Sequence, residues 1–432
     1  MKRRPATLAV VAVAALGLAL AGCTTDPAAT GESSAAAVSS EAAPAASTAA
    51  SAVASTAASA AASAAASAEP AAVEWFDQAK YDAQKEQLTG TFEGDPATPY
   101  LQYYTGAEMV DTSQYKADGP KKLCFANASI SNPWRVTGWI TMNQQLQVLK
   151  DQGIVSEMET RDAKDSDDQQ IADIDYFIGE GNCDVFVISP NSTAAMTPAV
   201  ERACATGKPV VVFDRGVETD CMTTFVHPVG GFGFGIASAS FLADNLKSGD
   251  RVVALRILPG VDVLEQRWAA AQQIFDAKGI TATDYFTGAD PAKIKQIITD
   301  ELAKGDVQGV WMDAGDGGTA AIEAFEDAGK DLPVISGEDQ IAFLKKWKDS
   351  GITATGPSYP SMQWRTALLA ASDILQGKEL PKEWILPQPS VTAENLDDYL
   401  TKNEGMPDGH YALFGGEDLP GYPQVWIDRQ VP

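Results

Sequence analysis

Six apolar segments of the sequence each end in side chains that donate or accept hydrogen bonds. In the clearest case, the valine-rich segment 210–213 is followed directly by Asp214 and Arg215. A carboxylate accepts hydrogen bonds and a guanidinium offers donors in a planar fork, so this pair suits adjacent hydroxyl groups of a polyol. Alternatively, Asp214 begins a turn and Arg215 forms a surface ion pair. The polar residues at the other segment ends favour the first interpretation.

A shared site at these ends requires that the segments be strands of parallel sheets. In open sheets of this kind, ligands bind beyond the carboxyl ends of the strands. The indole of Trp134 suits the C–H face of a sugar ring, and the charged and amide groups suit its hydroxyls. The candidate ligand-binding residues are Asn132, Trp134, Arg135, Ser189, Asp214, Arg215, Arg267, Asp313, Asp316 and Asp339.

The pattern from residue 121 onwards supplies such strands. Short apolar segments bounded by turn residues alternate with amphipathic stretches at helical spacing. This alternation predicts parallel sheets covered by helices on both faces, and ten strands favour two Rossmann-like α/β lobes over one sheet. The predicted strands lie near 122–127, 154–159, 184–189, 209–213, 223–227, 251–257, 280–286, 308–312, 332–336 and 352–356. The predicted helices lie near 135–150, 167–179, 193–206, 232–247, 263–278, 291–304, 317–329, 339–349 and 361–376.

The composition argues against several classes of function. The formal net charge is −26, whereas a protein that binds nucleic acid needs a basic surface, so we expect no nucleic-acid partner. The chain has two histidines, His227 and His410, which leaves few candidates for a zinc site or a Ser-His-Asp triad. A glycosidase would need two carboxylates facing one scissile bond, and Arg215 beside Asp214 favours binding over acid catalysis. We therefore predict no cofactor, no metal and no enzymatic activity.

The N-terminus predicts export and lipidation. A positive segment at 2–4 precedes an apolar run at 8–20, which is shorter than the roughly 20 residues that span a bilayer. The run ends in Leu-Ala-Gly-Cys, which resembles the lipobox of bacterial lipoproteins, where cleavage precedes Cys23 and its sulfur is lipidated. The alternative is an ordinary secretory signal followed by a chance cysteine. We expect a protein tethered to the outer face of the bacterial plasma membrane.

The residues after Cys23 divide into stretches of different composition. The first is nearly all Ala, Ser, Thr, Pro and Glu without aromatic residues, so it cannot bury a core. The next is rich in aromatic residues and is expected to pack on a larger body. The predicted division is a signal peptide at 1–22, the lipidated cysteine and a disordered linker at 23–72, an N-terminal extension at 73–120, a first lobe at 121–228 plus 359–387, and a second lobe with the C-terminal tail at 229–358 plus 388–432.

Across residues 121–385 the chain resembles the type I periplasmic sugar-binding proteins, the ribose-binding group of ABC-transporter receptors. The segments that carry the resemblance are SNPWRV, VISPNS, KPVVVFDRGV and ISGEDQ. The resemblance implies two lobes joined by three crossover strands, which we expect near 228–230, 357–360 and 385–390. It also implies ligand contacts from Asn132, Trp134, Asp214, Arg215, Arg267 and Asp339.

Several positions depart from the pattern of that family. Arg135 stands where a second aromatic residue is common, and Glu338 replaces an aromatic residue before Asp339. Ala314 stands where an asparagine is usual, so we expect Asp313 or Asp316 to take over its role. These changes make the site more charged than a plain pentose site. They leave a polyol, an amino or modified sugar, or a cationic relative open as the ligand.

The resemblance further implies a receptor that closes on its ligand by hinge motion, because each lobe holds half of the binding groups. We expect a monomeric, lipid-anchored solute-binding protein that delivers a sugar or polyol to the permease of an ABC importer. The alternatives are a sensory receptor of the same fold and a binder of a non-sugar polar molecule.

Four cysteines besides Cys23 permit two disulfides outside the cytoplasm. With the strands in the order 2-1-3, Cys124 and Cys183 begin neighbouring strands. Cys204 ends a helix, and Cys221 opens the next strand after one intervening strand. We therefore predict the pairs 124–183 and 204–221, with buried free thiols as the alternative.

Overall fold

Two six-stranded sheets form the framework of the residues that the computed structural model describes, 75–315 and 317–429. The predicted signal peptide 1–22, Cys23 with its linker to residue 72, and the candidate Asp316 lie outside the described residues. The N-terminal extension consists of α1 Gln78–Gln87, β1 Phe92–Glu93, β2 Tyr103–Tyr104 and β3 Met109–Val110, with 3₁₀ helices at Pro99–Leu101 and Ser113–Tyr115.

The first sheet and its helices follow the extension. Its elements are β4 Lys121–Asn127, α2 Pro133–Asp151, β5 Val155–Asp162, α3 Asp167–Glu180, β6 Val185–Ser189, α4 Thr193–Ala205, β7 Val210–Phe213 and β8 Thr224–Pro228. Every residue of β6 and β7 is buried, as expected for apolar parallel strands that are covered on both faces.

The second sheet repeats the alternation. Its elements are α5 Gly231–Asn245, β9 Arg251–Arg256, α6 Asp262–Lys278, β10 Thr281–Phe286, α7 Pro291–Lys304, β11 Gly309–Met312, α8 Gly318–Asp327, β12 Val334–Ser336, α9 Ile341–Ser350 and β13 Ala354–Pro357. The last elements of the described chain are α10 Gln363–Gln376, β14 Leu380–Pro381, β15 Glu383–Leu386, β16 Ser390–Val391, α11 Leu396–Lys402 and α12 Gln424–Ile427.

The strand order confirms the predicted α/β class with two parallel-sheet lobes. The first sheet runs β15-β8-β7-β6-β4-β5, and all of its strand pairs are parallel. The second runs β10-β9-β11-β12-β13-β16 and is parallel except for the last pair. The chain passes between the sheets after β8, after β13 and after β15. All ten predicted strands and nine predicted helices are present; β15 and β16, which flank the crossing expected near 385–390, were not among those ten strands.

The C-terminal tail, residues 403–429, contacts both lobes. On the first lobe, Trp426 is fully buried and its indole Nε1 donates to Thr141 Oγ1 of α2 at 3.1 Å. Arg365 of α10 also binds both carboxylate oxygens of Asp418. On the second lobe, the amide of Ala412 donates to the carbonyl of Asp339 at 2.9 Å. The tail therefore fastens α2 and α10 to the end of β12.

The N-terminal extension also packs on the lobes. The rings of Phe76 and Tyr81 lie 5.6 and 6.0 Å from the buried ring of Phe232 in α5. Strand β3 pairs with β14 in antiparallel fashion, and the phenol of Tyr100 donates to Asp418 of the tail at 2.9 Å. The extension is thus in contact with both the second lobe and the C-terminal tail.

The structure contains both predicted disulfides. Cys124 lies in the middle of β4 and Cys183 lies just before the neighbouring strand β6, with their Cα atoms 5.6 Å apart. Cys204 near the end of α4 is joined to Cys221 before β8, with a Cα separation of 6.0 Å. In the part of the chain that the structure covers, no helix combines the length and apolar character needed to cross a bilayer.

Candidate functional site

A cavity lies where the carboxyl ends of the two sheets face each other. Both lobes line it, together with the segment that crosses from β13 to α10 and the C-terminal tail. The lining residues are Asn132, Trp134, Arg135, Asp214, Arg215, Ile257, Val263, Leu264, Arg267, Ala314, Glu338, Tyr359 and Tyr411. Six of the ten candidate ligand residues are therefore brought together in one place.

Asp214 occupies the turn that ends β7. Its backbone is left-handed, with a φ of 72°, a conformation that Asp adopts more readily than most residues. This turn directs the carboxylate towards α2, where Oδ2 accepts a hydrogen bond from Arg135 Nη2 at 2.9 Å. Both side chains are buried, at 5% and 3% exposure. Asp214 thus begins a turn and lines the cavity as well, and its ionic partner is Arg135.

Arg135 reaches Asp214 because α2 begins directly at the edge of the cavity. The helix starts at Pro133, and the side chain of Asn132 caps it by accepting from the Arg135 amide at 2.9 Å. Asparagine is a favoured capping residue, and proline is pre-organised for the first helical position. The cap therefore places Asn132, Trp134 and Arg135 together at the cavity wall.

Arg215 takes a different partner from its neighbour in sequence. Its Nη1 donates to the backbone carbonyl of Asn191 and lies 3.4 Å from the side-chain oxygen of the same residue. Burial, with the nearby charge of Arg135, lowers the pKa of the Arg215 guanidinium to about 10. Because this pKa is still well above neutral, Arg215 remains a cation in the cavity.

On the second lobe, Arg267 of α6 forms the matching ion pair. Its Nη1 lies 3.2 Å from Glu338 Oε1 and also donates to the backbone carbonyl of Asp313. The guanidinium carbon lies 4.1 Å from the ring centre of Phe234 and 4.6 Å from that of Tyr359. These cation–π contacts orient the guanidinium beside the cavity.

Tyr359 lies between the two lobes in the segment that crosses from β13 to α10. Its carbonyl accepts from the indole Nε1 of Trp134 at 2.6 Å, and its phenol donates to the carbonyl of Asp214 at 3.3 Å. Burial and the charge of Asp214 raise the pKa of the Tyr359 phenol, so the ring is neutral and available as an apolar surface. The rings of Trp134 and Tyr359 lie 5.9 Å apart.

Two predicted ligand residues are buried beside the cavity without lining it. Ser189 is fully buried at the end of β6, and its carbonyl accepts from Gln170 Nε2 at 2.7 Å. Both carboxylate oxygens of Asp313 accept from the amide of Ile257, at 2.9 and 3.0 Å. Burial raises the pKa of Asp313 to about 7. The Asp313 carboxylate therefore joins the end of β11 to the residue that follows β9.

Asp339 also does not line the cavity, because the C-terminal tail covers it. Its Oδ2 accepts from the amide of Leu413 at 2.7 Å, and its side chain is fully buried. Burial raises the pKa of this carboxyl to about 6. The tail occupies this position and contributes Tyr411 to the cavity wall instead.

Three polar lining residues were not on the list of candidates. Glu338 directly precedes Asp339, and the change from an aromatic residue to a carboxylate was the signal that could have identified it. Tyr359 lies within the crossing between the lobes that was expected near 357–360. Nothing in the sequence indicated that Tyr411, which forms an antiparallel bridge with Gln340, would reach the cavity. Among residues 75–315 and 317–429 there is no cluster of side chains suited to a metal ion.

Comparison with known proteins gives a consistent result. The periplasmic binding protein domain family matches residues 123–379. The ribose import binding protein RbsB of Bacillus subtilis (strain 168) is 31% identical over 251 residues, which are 56% of this chain and 81% of that protein. An ABC transporter solute-binding protein from Thermobispora bispora DSM 43833 has a TM-score of 0.59 at 22% identity, over 67% of this chain and 90% of that one. A second, from Bacillus halodurans C-125 with bound myo-inositol, has a TM-score of 0.59 at 19% identity, over 66% and 99%.

Proposed function

The chain belongs to the periplasmic binding protein domain family, and from this membership we propose that it captures a sugar or sugar-like polyol in the cavity between its lobes. It then delivers the ligand to the permease of an ABC importer. The protein acts as a monomer held at the outer face of the plasma membrane by a lipid on Cys23. It performs no reaction on its ligand.

The observation that carries this proposal is the shared lining of the cavity. The first lobe contributes the Arg135–Asp214 pair and the second contributes the Arg267–Glu338 pair. Charged groups of both signs bind hydroxyls as donors and acceptors, and the indole of Trp134 offers a flat apolar surface for a ring. The relatives support this chemistry, since RbsB is named for ribose and the Bacillus halodurans protein holds myo-inositol.

Because the ligand-binding groups are divided between the two lobes, ligand binding is coupled to closure of the lobes. A ligand that touches both ion pairs favours the arrangement in which the lobes are close, because its affinity for that arrangement is higher. The permease can then distinguish the ligand-bound receptor from the empty one by the relative arrangement of the two lobes. Each cavity carboxylate has a guanidinium partner, which suits binding of hydroxyls better than acid catalysis.

Calorimetry and thermal shift against pentoses, hexoses, polyols and amino sugars test the proposal. A true ligand raises the melting temperature by mass action, and Trp134→Ala should abolish that shift. Trp75→Ala is the matched control, since Trp75 is 43% exposed and lies outside the cavity. Absence of binding to any member of the panel, or a Trp134→Ala variant that binds as well as the wild type, would contradict the proposal.

The anchor and the partner need their own tests. Cys23→Ala should release the protein from the membrane fraction of cells that express it and should remove labelling by radioactive palmitate. Deletion of the chromosomal gene should stop uptake of the labelled sugar that binds in vitro. Continued uptake at the wild-type rate would argue against the importer role while leaving the binding function intact.

A further inference from the structure

We propose that the ligand of this cavity carries one negative charge, as the carboxylate of an aldonic or uronic sugar acid does. This proposal rests on the proposed function, because it assumes that the cavity binds a sugar or polyol. It adds the net charge of the ligand to the proposed ligand class. Neither the family nor the relatives named above specify that charge.

The first argument is the balance of charge at the cavity wall. Three guanidinium groups line it, those of Arg135, Arg215 and Arg267, against two carboxylates, those of Asp214 and Glu338. The sum over these lining groups is 3 − 2 = +1. Once water leaves the cavity, an unbalanced charge is costly, and a ligand with one negative charge removes that cost.

The second argument concerns the way in which the three cations are paired. Arg135 and Arg267 each contact a carboxylate, at 2.9 and 3.2 Å. Arg215 donates to the oxygens of Asn191, which carry no net charge, and within the described residues it forms no ion pair. Burial and then the charge of Arg135 lower its pKa, and the charges of Asp214 and Asp165 act in the opposite direction.

The third argument is a shortage of acceptors. Arg135 Nη1 and Arg267 Nε are buried and have no hydrogen-bond partner among residues 75–315 and 317–429. They belong to guanidinium groups on opposite lobes, both of which line the cavity. A carboxylate provides about four lone-pair sites and binds guanidinium groups in bidentate fashion, which a hydroxyl cannot do.

Carboxylates near the cavity do not supply the missing negative charge. Asp313 and Asp339 do not line it, and their carboxylates accept from the backbone amides of Ile257 and Leu413. Asp165 is exposed and accepts from Ser129 Oγ at 2.6 Å, so water screens its charge. A cationic amino sugar would therefore meet the excess of guanidinium groups, and its binding is disfavoured.

Calorimetry with isosteric pairs tests the charge directly. The probes are D-glucuronate against its neutral amide D-glucuronamide, and D-galactonate against galactitol, each with the purified protein at pH 7.5. We expect at least one acid to bind about tenfold more tightly than its neutral partner, the effect of hydrogen bonds to a charged group. Equal or tighter binding of the neutral partners overturns the charge proposal and leaves the proposed function standing. Failure of all sugars, acidic and neutral, would count against both.

Two variants of Arg215 distinguish the effect of its charge on ligand preference from an effect on folding. Arg215→Gln brings the sum of lining charges to zero, and the ratio of the acid's affinity to that of its neutral partner should fall by about tenfold. Arg215→Lys keeps the charge and should retain the preference. A preference that survives in Arg215→Gln with an unchanged urea midpoint would overturn the role given to this residue.

Discussion

Asp214 and Arg135 form a buried ion pair that joins the end of β7 to the start of α2. Arg135 Nη2 and Asp214 Oδ2 are 2.9 Å apart, and the two residues are 79 positions apart in the sequence. The carboxylate of Asp214 therefore pairs with Arg135, which is distant in the sequence, and not with its neighbour Arg215. Arg215 is thereby left to face the cavity without an ion-pair partner among the described residues.

Asp214→Asn should destabilise the protein. The substitution removes the charge that compensates Arg135 in a buried setting, and breaking such a pair costs about 3–5 kcal/mol of unfolding free energy. Asparagine accepts the left-handed backbone at this position, so the loss reports the ion pair and not backbone strain. Urea unfolding measures it. In the control Asp220→Asn, the ion pair with Lys382 involves a carboxylate at 92% exposure, and the midpoint should hardly move. Equal midpoints for all three proteins would refute the prediction.

Gly138→Ala should destabilise the first lobe although alanine favours helices. A Cβ atom at Gly138 would lie 2.3 Å from Cδ1 of Trp364, whose indole is fully buried in α10. Overpacking of this kind costs about 1–3 kcal/mol or more, which exceeds the gain of about 1 kcal/mol from helix propensity.

Gly179→Ala is the matched variant in helix α3, because a Cβ atom there meets nothing within 4 Å. It should leave the protein as stable or stabilise it by up to about 1 kcal/mol. Urea unfolding of both variants gives the comparison. A Gly138→Ala variant that gains as much stability as Gly179→Ala would show that α2 and α10 separate easily.

Removal of either disulfide should lower stability, and the longer loop should matter more. The sequence separations are 59 residues for Cys124–Cys183 and 17 for Cys204–Cys221. Loop entropy in the unfolded chain then gives losses of about 4 and about 3 kcal/mol. The double variants Cys124→Ala/Cys183→Ala and Cys204→Ala/Cys221→Ala test this by urea unfolding. An unreduced protein whose mass shows four free thiols would contradict the disulfides themselves.

Much of the fold could be predicted because its signals are local. Apolar segments such as 210–213 are short and bounded by turn residues, and helix starts such as Asn132–Pro133 carry their own capping chemistry. The strands β15 and β16 were missed because they are short and follow the second lobe. Their place depends on sheet edges formed by residues far away in the sequence.

The site was less predictable because it depends on contacts between residues that are far apart in the sequence. The side chains at β7 and α2 follow from the strand ends, and Asp214 and Arg135 were both candidates. Asp339 follows the end of β12, but the C-terminal tail binds its carboxylate through Leu413. Tyr411 enters the cavity from the same tail. No periodicity in 403–429 indicates which surface the tail covers, so this part of the site required the structure.

Asp339→Asn should change how stability depends on pH. Burial raises the pKa of Asp339 in the folded protein to about 6, above its value of roughly 3.9 in an unfolded chain. Between these values the folded state binds more protons than the unfolded state. Stability from this group is therefore fully present below about pH 4 and is lost as the pH rises to about 6, at up to about 1.4 kcal/mol per pH unit.

The asparagine variant lacks this dependence, and it can still accept from the Leu413 amide. Its unfolding free energy relative to the wild type should therefore rise from pH 4 to pH 6 and level off above. His410, whose pKa burial lowers to about 3, has the opposite trend on acidification, but it is present in both proteins and cancels in the difference. Urea unfolding at pH 4, 5, 6 and 7 gives the difference directly, with the exposed Asp118→Asn variant as control. A difference that stays flat over this range would mean that Asp339 is ionised in the folded protein throughout, and that the tail stabilises its charge.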